Sequence, residues 1–109
     1  MHLSGYRCMW IIVFFDLPTD TKKARRQYTD FRNDLLEDGF TMMQYSVYFR
    51  HCASKENTEV HLKRIRLSVP PDGEVRVMQM TDKQFERMEV FLGKRRTKVE
   101  TAPAQLEMF

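Results

Sequence analysis

Long apolar runs are missing from this 109-residue chain. The longest, residues 9–15, stops at Asp16 and Pro18, far short of the roughly 20 residues that span a bilayer. No membrane span is therefore expected. Residues 1–8 carry one Arg, and no small-residue cleavage site follows the apolar run, so a secretory signal is not expected either and the cytoplasm is the expected compartment. Cysteine is scarce. Cys8 and Cys52 lie in no C-x-x-C or other chelating spacing, which argues against a zinc site, and in a reducing compartment both are expected as free thiols. Also lacking is the glycine-and-aromatic strand motif of an RNA-recognition module, which removes that specific reading of a small α+β domain.

What is present suits one globular domain: 42% hydrophobic and 30% charged residues, enough for one core and too few residues for two. Residues 9–15, Met-Trp-Ile-Ile-Val-Phe-Phe, are apolar throughout and rich in β-branched and aromatic types, the pattern of a strand buried on both faces. Asp16 to Asp20 form a turn in which Pro18 ends the strand and Thr19 or Asp20 caps a helix. Ala24, Tyr28, Phe31 and Leu35 then recur at helical spacing until Gly39, predicting a helix over 21–38. From 41 to 50 the period changes to two. Met43, Tyr45, Val47 and Phe49 alternate with Met42, Gln44, Ser46, Tyr48 and Arg50, with no Gly, Pro or Asn for a tight hairpin, so either two strands or one bent strand is expected.

Ser54 caps a second helix carried by Thr58, Leu62, Ile65 and Val69, and the Pro70-Pro71-Asp72-Gly73 turn ends it. Residues 74–80 read as a strand, 81–86 as a turn or helical turn, and 89–92 as a brief last strand. The sum is an α+β, ferredoxin-like β-α-β-β-α-β domain over 1–93, with residues 1–8 as an arm and a short additional C-terminal strand. Residues 94–109 form a tail, basic and then apolar. Helices on one face of a sheet leave the other face of the first strand uncovered, and the sheet of a second copy is the expected cover, hence a homodimer.

The string FFDLP at 14–18, the basic helix after it and QYSVYF at 44–49 resemble, in that order, the small CRISPR-associated adaptation protein family, "Cas two". The resemblance spans about residues 8–92. It implies a ferredoxin-like homodimer seated between two dimers of the integrase subunit during spacer acquisition, where it holds duplex (protospacer) DNA. It also implies a nominal metal-dependent endonuclease activity, on RNA or DNA, attributed to the aspartate that ends the first strand, here Asp16.

Asp16 is in any case a carboxylate at a strand end, where it either holds the turn or offers Mg²⁺ a hard oxygen ligand. One carboxylate is few for a cation, and a two-fold axis would supply it twice, placing Mg²⁺ at a dimer interface. The net charge of +3 is modest, but its placement is not. Lys22, Lys23, Arg25 and Arg26 crowd the start of the first helix, and Lys94, Arg95, Arg96 and Lys98 follow the last strand, eight of the 18 basic residues. Cations at a helix N-terminus oppose the dipole, so a use outside the fold is expected, namely phosphate. Lys63, Arg64 and Arg66 add a third cluster.

Phe14, Phe15, Tyr28, Phe31, Tyr45 and Phe49 are assigned to buried faces, and Tyr48 is left open between a sheet edge and a dimer contact. Without a stacking platform, binding to the nucleic-acid backbone without sequence reading is expected. Leu106, Met108 and Phe109 at the end of the tail form an apolar group suited to docking on the integrase subunit. The leading reading is an architectural DNA-binding subunit, and the alternative is a metal-dependent endonuclease using paired Asp16 residues.

Overall fold

The computed structural model describes residues 9–93. Strand β1 (Met9–Asp16) is followed by α1 (Lys22–Glu37), β2 (Thr41–Gln44), β3 (Val47–Cys52), α2 (Lys55–Ser68), β4 (Glu74–Thr81) and a short α3 (Asp82–Glu86). The sheet order is β2-β3-β1-β4 with every pairing antiparallel, the expected ferredoxin-like plan with α3 appended. β1 is central because its unbroken apolar run tolerates a neighbour on each side and a layer on each face. Ile11, Val13 and Phe15 point toward α1 and α2 and join Phe31, Leu35, Phe40, Tyr48, Cys52 and Ile65 in the core.

Both helices start where a hydroxyl accepts an orphan amide. Thr21 takes the Ala24 N–H at 3.0 Å and Ser54 takes that of Asn57 at 3.0 Å. The first cap is thus Thr21 rather than Thr19 or Asp20, because Thr21 has the extended backbone that turns its hydroxyl onto the helix start. The hairpin after α1 has two strands joined through Tyr45 and Ser46, without Gly, Pro or Asn. Ser46 itself adopts φ 63°, and long-range bonds hold it there: its carbonyl accepts from Phe15 N–H at 3.1 Å, and its hydroxyl shares a 2.9 Å hydrogen bond with Tyr28. A register shift between Met42 and Gln44 lets β2 follow β3 around the bend.

Tyr48 lies beside Val13 on the helix-covered face and is 1% exposed, so it is a core residue. Tyr45, assigned from its alternation to a buried face, is instead exposed, because the turn lifts it out of the ladder. Phe14 is also partly exposed. Cys52 is a free, buried thiol whose ionisation burial pushes up, which keeps it unreactive; Cys8 lies outside the described residues.

A buried polar network ties the end of α1 to α2. His61 is 4% exposed; its Nε2 accepts from Arg50 Nε at 3.0 Å, so the proton is on Nδ1 and donates to Asp38 Oδ2 at 2.7 Å. Arg64 donates to the other Asp38 oxygen at 2.6 Å.

The second face of the sheet is half covered from within the chain. A capping box between Thr81 and Gln84 turns the chain out of β4 into α3. Phe85 then stacks on Trp10, centroids 3.9 Å apart, and lies 5.7 Å from Phe49, while Trp10 Nε1 donates to Asp82 Oδ1 at 2.6 Å. Ile12, between these groups and β4, is 3% exposed. Farther along, Phe14 and Met78 remain on the open side of the sheet. Residues 89–92, expected as a brief strand, form no ladder among the described residues, and Phe91 is 84% exposed. The helical turn at 82–86 carries the chain off the sheet instead of reversing it along β4, so among the described residues no strand is alongside to pair.

Candidate nucleic-acid interface and the Asp16 strand end

Asp16 is exposed at the last position of β1, directly opposite Glu74 on β4. Cross-strand partners share a face, so the two carboxylates project from the same side of the sheet. Glu74 accepts from Arg76 Nη2 at 3.2 Å. Their position depends on Gly73, whose φ of +97° brings the chain over Asp16 and Leu17. A Cβ there would lie 2.9 Å from the Asp16 carbonyl oxygen and 2.7 Å from Leu17 Cδ2. Behind it, Leu17 is buried and anchors the segment that leads to α1.

An open depression of about 200 Å³ lies at this strand end, lined by Phe14, Asp16, Tyr45, Ser46, Glu74 and Arg76 among others. Tyr45 is 77% exposed, with its ring 6.2 Å from that of Tyr28 and inclined by 24°. Hydrogen bonding with Tyr28, and then the charge Tyr28 carries when ionised, pushes the Tyr45 phenol above its ordinary value, so it is a neutral aromatic at physiological pH. Among the described residues no three His, Cys, Asp or Glu side chains gather into a metal cluster. The Asp16 and Glu74 pair nonetheless suits a hard cation such as Mg²⁺, which takes one or two carboxylates and keeps its waters.

The second element of the site is α1. Ala24, Phe31 and Leu35 fasten the helix to the sheet, which turns Lys22, Lys23, Arg25 and Arg26 outward. All four are exposed, the first turn holds no acidic residue, and none of the four forms an ion pair among the described residues. Together with Thr29 and Asp30 they line an open groove of about 730 Å³. Arg25 is steadied by donating to the Thr19 carbonyl at 3.1 Å. The short 17–21 segment joins this row to Asp16, so carboxylate and cations neighbour one another at one end of the domain.

The third basic cluster is divided. Lys63 and Arg66 are exposed, but Arg64 is engaged by Asp38 in the network that joins the helices. Lys94, Arg95, Arg96 and Lys98 lie outside the described residues, as do Leu106, Met108 and Phe109. Glu74, Arg76 and Gly73 were not singled out from sequence. The apolar period of β4 is broken, and only pairing with β1 reveals that Glu74 faces Asp16. Gly73 carried a signal as the last residue of a Pro-Pro-Asp-Gly turn, but not its close approach to Asp16.

The family model described as CRISPR associated protein Cas2 matches residues 9–88. A protein of Parvibaculum lavamentivorans named CRISPR-associated endoribonuclease Cas2 is 61% identical over 101 residues, 93% of this chain and 100% of that protein. One of the same name from Flavobacterium psychrophilum is 55% identical over 107 residues, 98% of this chain and 93% of that protein. A solved structure described as the crystal structure of cas2 superposes with a TM-score of 0.55 at 22% identity, covering 80% of this chain and 91% of the other, a likeness of fold.

Proposed function

The chain belongs to the CRISPR-associated Cas2 family, and on that premise we propose that it is an architectural nucleic-acid-binding subunit of the CRISPR spacer-acquisition complex, a homodimer that bridges integrase dimers and holds duplex DNA. The observation that carries this reading is the row of Lys22, Lys23, Arg25 and Arg26, exposed and without ion-pair partners among the described residues. Such cations contact phosphates, which positions a duplex without reading its sequence. The dimer is supported by Phe14 and Met78, the part of the open sheet face that α3 leaves uncovered, and by residues 89–92, which have a strand-forming composition and no ladder among the described residues. Pairing of that segment with the partner's sheet joins the two copies. Leu106, Met108 and Phe109 remain the proposed contact with the integrase subunit.

Titration of the protein against duplexes of unrelated sequence tests the reading. Their affinities are expected to agree and to fall linearly in log units with log salt, by about 0.9 per phosphate contact. Affinity that ignores salt, or that selects one sequence by orders of magnitude, overturns it.

A second reading, a metal-dependent endonuclease, is favoured by the Asp16 and Glu74 pair and by the name of the relatives. Asp16 and Glu74 are the residues that would hold a divalent cation, which would supply electrostatic activation of water for attack on a phosphodiester. Asp16→Asn keeps the side chain's shape and removes its charge. Mg²⁺-dependent cleavage of RNA or DNA is expected to fall to background in that variant, while the dimer mass by light scattering and spacer integration with the integrase persist. Loss of integration in a folded, dimeric Asp16→Asn protein makes the catalytic reading the correct one.

A further inference from the structure

Nothing in the backbone-binding reading uses Tyr45, and its presentation is unusual. A large aromatic stands 77% exposed at the tip of a tight turn, while the residue beside it, Ser46, holds a left-handed φ of 63° that a serine adopts at a cost. The turn is fixed by three separate contacts: the Phe15 amide on the Ser46 carbonyl, Tyr28 on the Ser46 hydroxyl, and the Tyr28 ring behind that of Tyr45. A rigid, solvent-facing ring suits stacking, because little freedom is lost when a flat partner settles on it.

The surroundings fit a nucleotide. Tyr45 and Arg76 line the same depression, with the Arg76 side chain 74% exposed. Tyr28, which backs the ring, lies three residues along α1 from Arg25, so the cationic row continues to the edge of the platform. Asp16 and Glu74 make the strand end itself unfavourable for a bare phosphate. Arg76 is already paired with Glu74, so backbone charge is directed to α1, and the uncharged face of a base to Tyr45. In a duplex the bases are stacked on one another and their faces are not available. An unpaired strand offers them.

We propose that Tyr45 is a stacking platform for an unpaired base, which makes the Asp16 end of the sheet a single-strand subsite beside the duplex carried by α1. The inference rests on the nucleic-acid-binding function proposed above and adds to it the strand state recognised there.

The test compares three labelled probes on the full chain at one salt concentration: short oligo(dA), an abasic strand of equal length, and a duplex. The unsubstituted protein is expected to bind oligo(dA) more tightly than the abasic strand. Tyr45→Ala is expected to lower oligo(dA) affinity between about five- and 150-fold, the range of one lost stacking contact. Its affinities for the abasic strand and the duplex are expected to stay unchanged, and Tyr45→Phe to restore oligo(dA) binding. Light scattering at the same protein concentration is expected to show one mass for all variants. Equal oligo(dA) binding by Tyr45→Ala, an equal loss on all three probes, or a change of mass overturns the proposal, the last by making Tyr45 a protein contact. If the unsubstituted protein binds duplex but treats oligo(dA) and the abasic strand alike, the platform fails and the duplex function stands. If it binds no probe, both fail.

Discussion

Replacing Lys22, Arg25 and Arg26 together with Glu is expected to lower duplex-DNA affinity on the order of 100-fold near physiological salt, and the slope of log affinity against log salt by about 2.7, for each protomer in contact with the duplex, three contacts at 0.9 each. The estimate counts only lost counterion release, and repulsion by the new carboxylates adds to it. The fold does not suffer. All three side chains are exposed and none is engaged in an ion pair among the described residues, and the one bond lost, from Arg25 to the Thr19 carbonyl, is solvent-exposed. Near the start of α1 a carboxylate faces the positive end of the helix dipole, where a cation was opposed by a few tenths to about 1 kcal/mol. Thermal unfolding is therefore expected to be unchanged or slightly raised while binding falls. A triple variant that binds duplex as tightly as the unsubstituted protein moves the phosphate contacts to another surface.

Gly73→Ala is expected to destabilise the domain by about 2–4 kcal/mol, a sum of left-handed strain on a residue with a Cβ and a steric conflict with backbone. For a domain of this size that lowers Tm by ~10–25 °C. The conflict is hard to relieve, because the atoms met at 2.9 and 3.0 Å are the Asp16 carbonyl oxygen and Leu17 Cα. Leu17, whose Cδ2 lies at 2.7 Å, is buried and has little room to yield. Gly39 gives the contrast. Its φ of +87° is similarly restrictive, but the atom met at 2.9 Å is Nη1 of Arg50, the end of a long side chain, and Gly39→Ala is expected to lose only about 1–2 kcal/mol. Because Gly73 seats the Asp16 strand end, its substitution is also expected to impair whatever depends on Asp16 more than duplex binding along α1. Thermal melts of both variants, with Asp16-dependent cleavage assayed below the lower Tm, check this. Equal stability of the two overturns the packing argument.

Elements with strong periodicity were legible. The apolar run of β1, the Ala24, Phe31 and Leu35 stripe of α1 and the Ser54 hydroxyl cap of α2 are local patterns whose physical cause lies within a few residues, whereas the cap of α1 falls on Thr21 and not on the expected Thr19 or Asp20. The row of cations was legible for the same reason, since four of five consecutive positions around Ala24 are basic and a helix held by Ala24 must expose them. Asp16 stood out as the first charge after an apolar strand.

Features that depend on distant partners were not legible. Alternation over 41–50 assigned residues to two faces but did not say which one meets the helices, so Tyr48 was left open and Tyr45 was assigned to the interior. The turn at Tyr45 and Ser46 lacks the usual turn residues because Phe15 and Tyr28 stabilise it from other elements. Glu74 faces Asp16 only through a strand pairing that spans most of the chain. The route of residues 81–93 likewise depends on Thr81 and Gln84 starting a helix and on Trp10 and Phe49 receiving Phe85.

The sequence by itself determined the α+β class, the order of its main elements, the family resemblance, and the placement of four cations and one carboxylate at neighbouring ends of a helix and a strand. All of these follow from hydrophobic period, capping chemistry and charge, which act over one or two turns of chain. Tertiary structure alone decided that Glu74 and Arg76 join Asp16, that Arg64 serves a buried network instead of a free basic surface, and that Tyr45 faces solvent beside them. Those outcomes depend on strand register and on close contacts between segments far apart in the chain, where one residue of shift reverses every face.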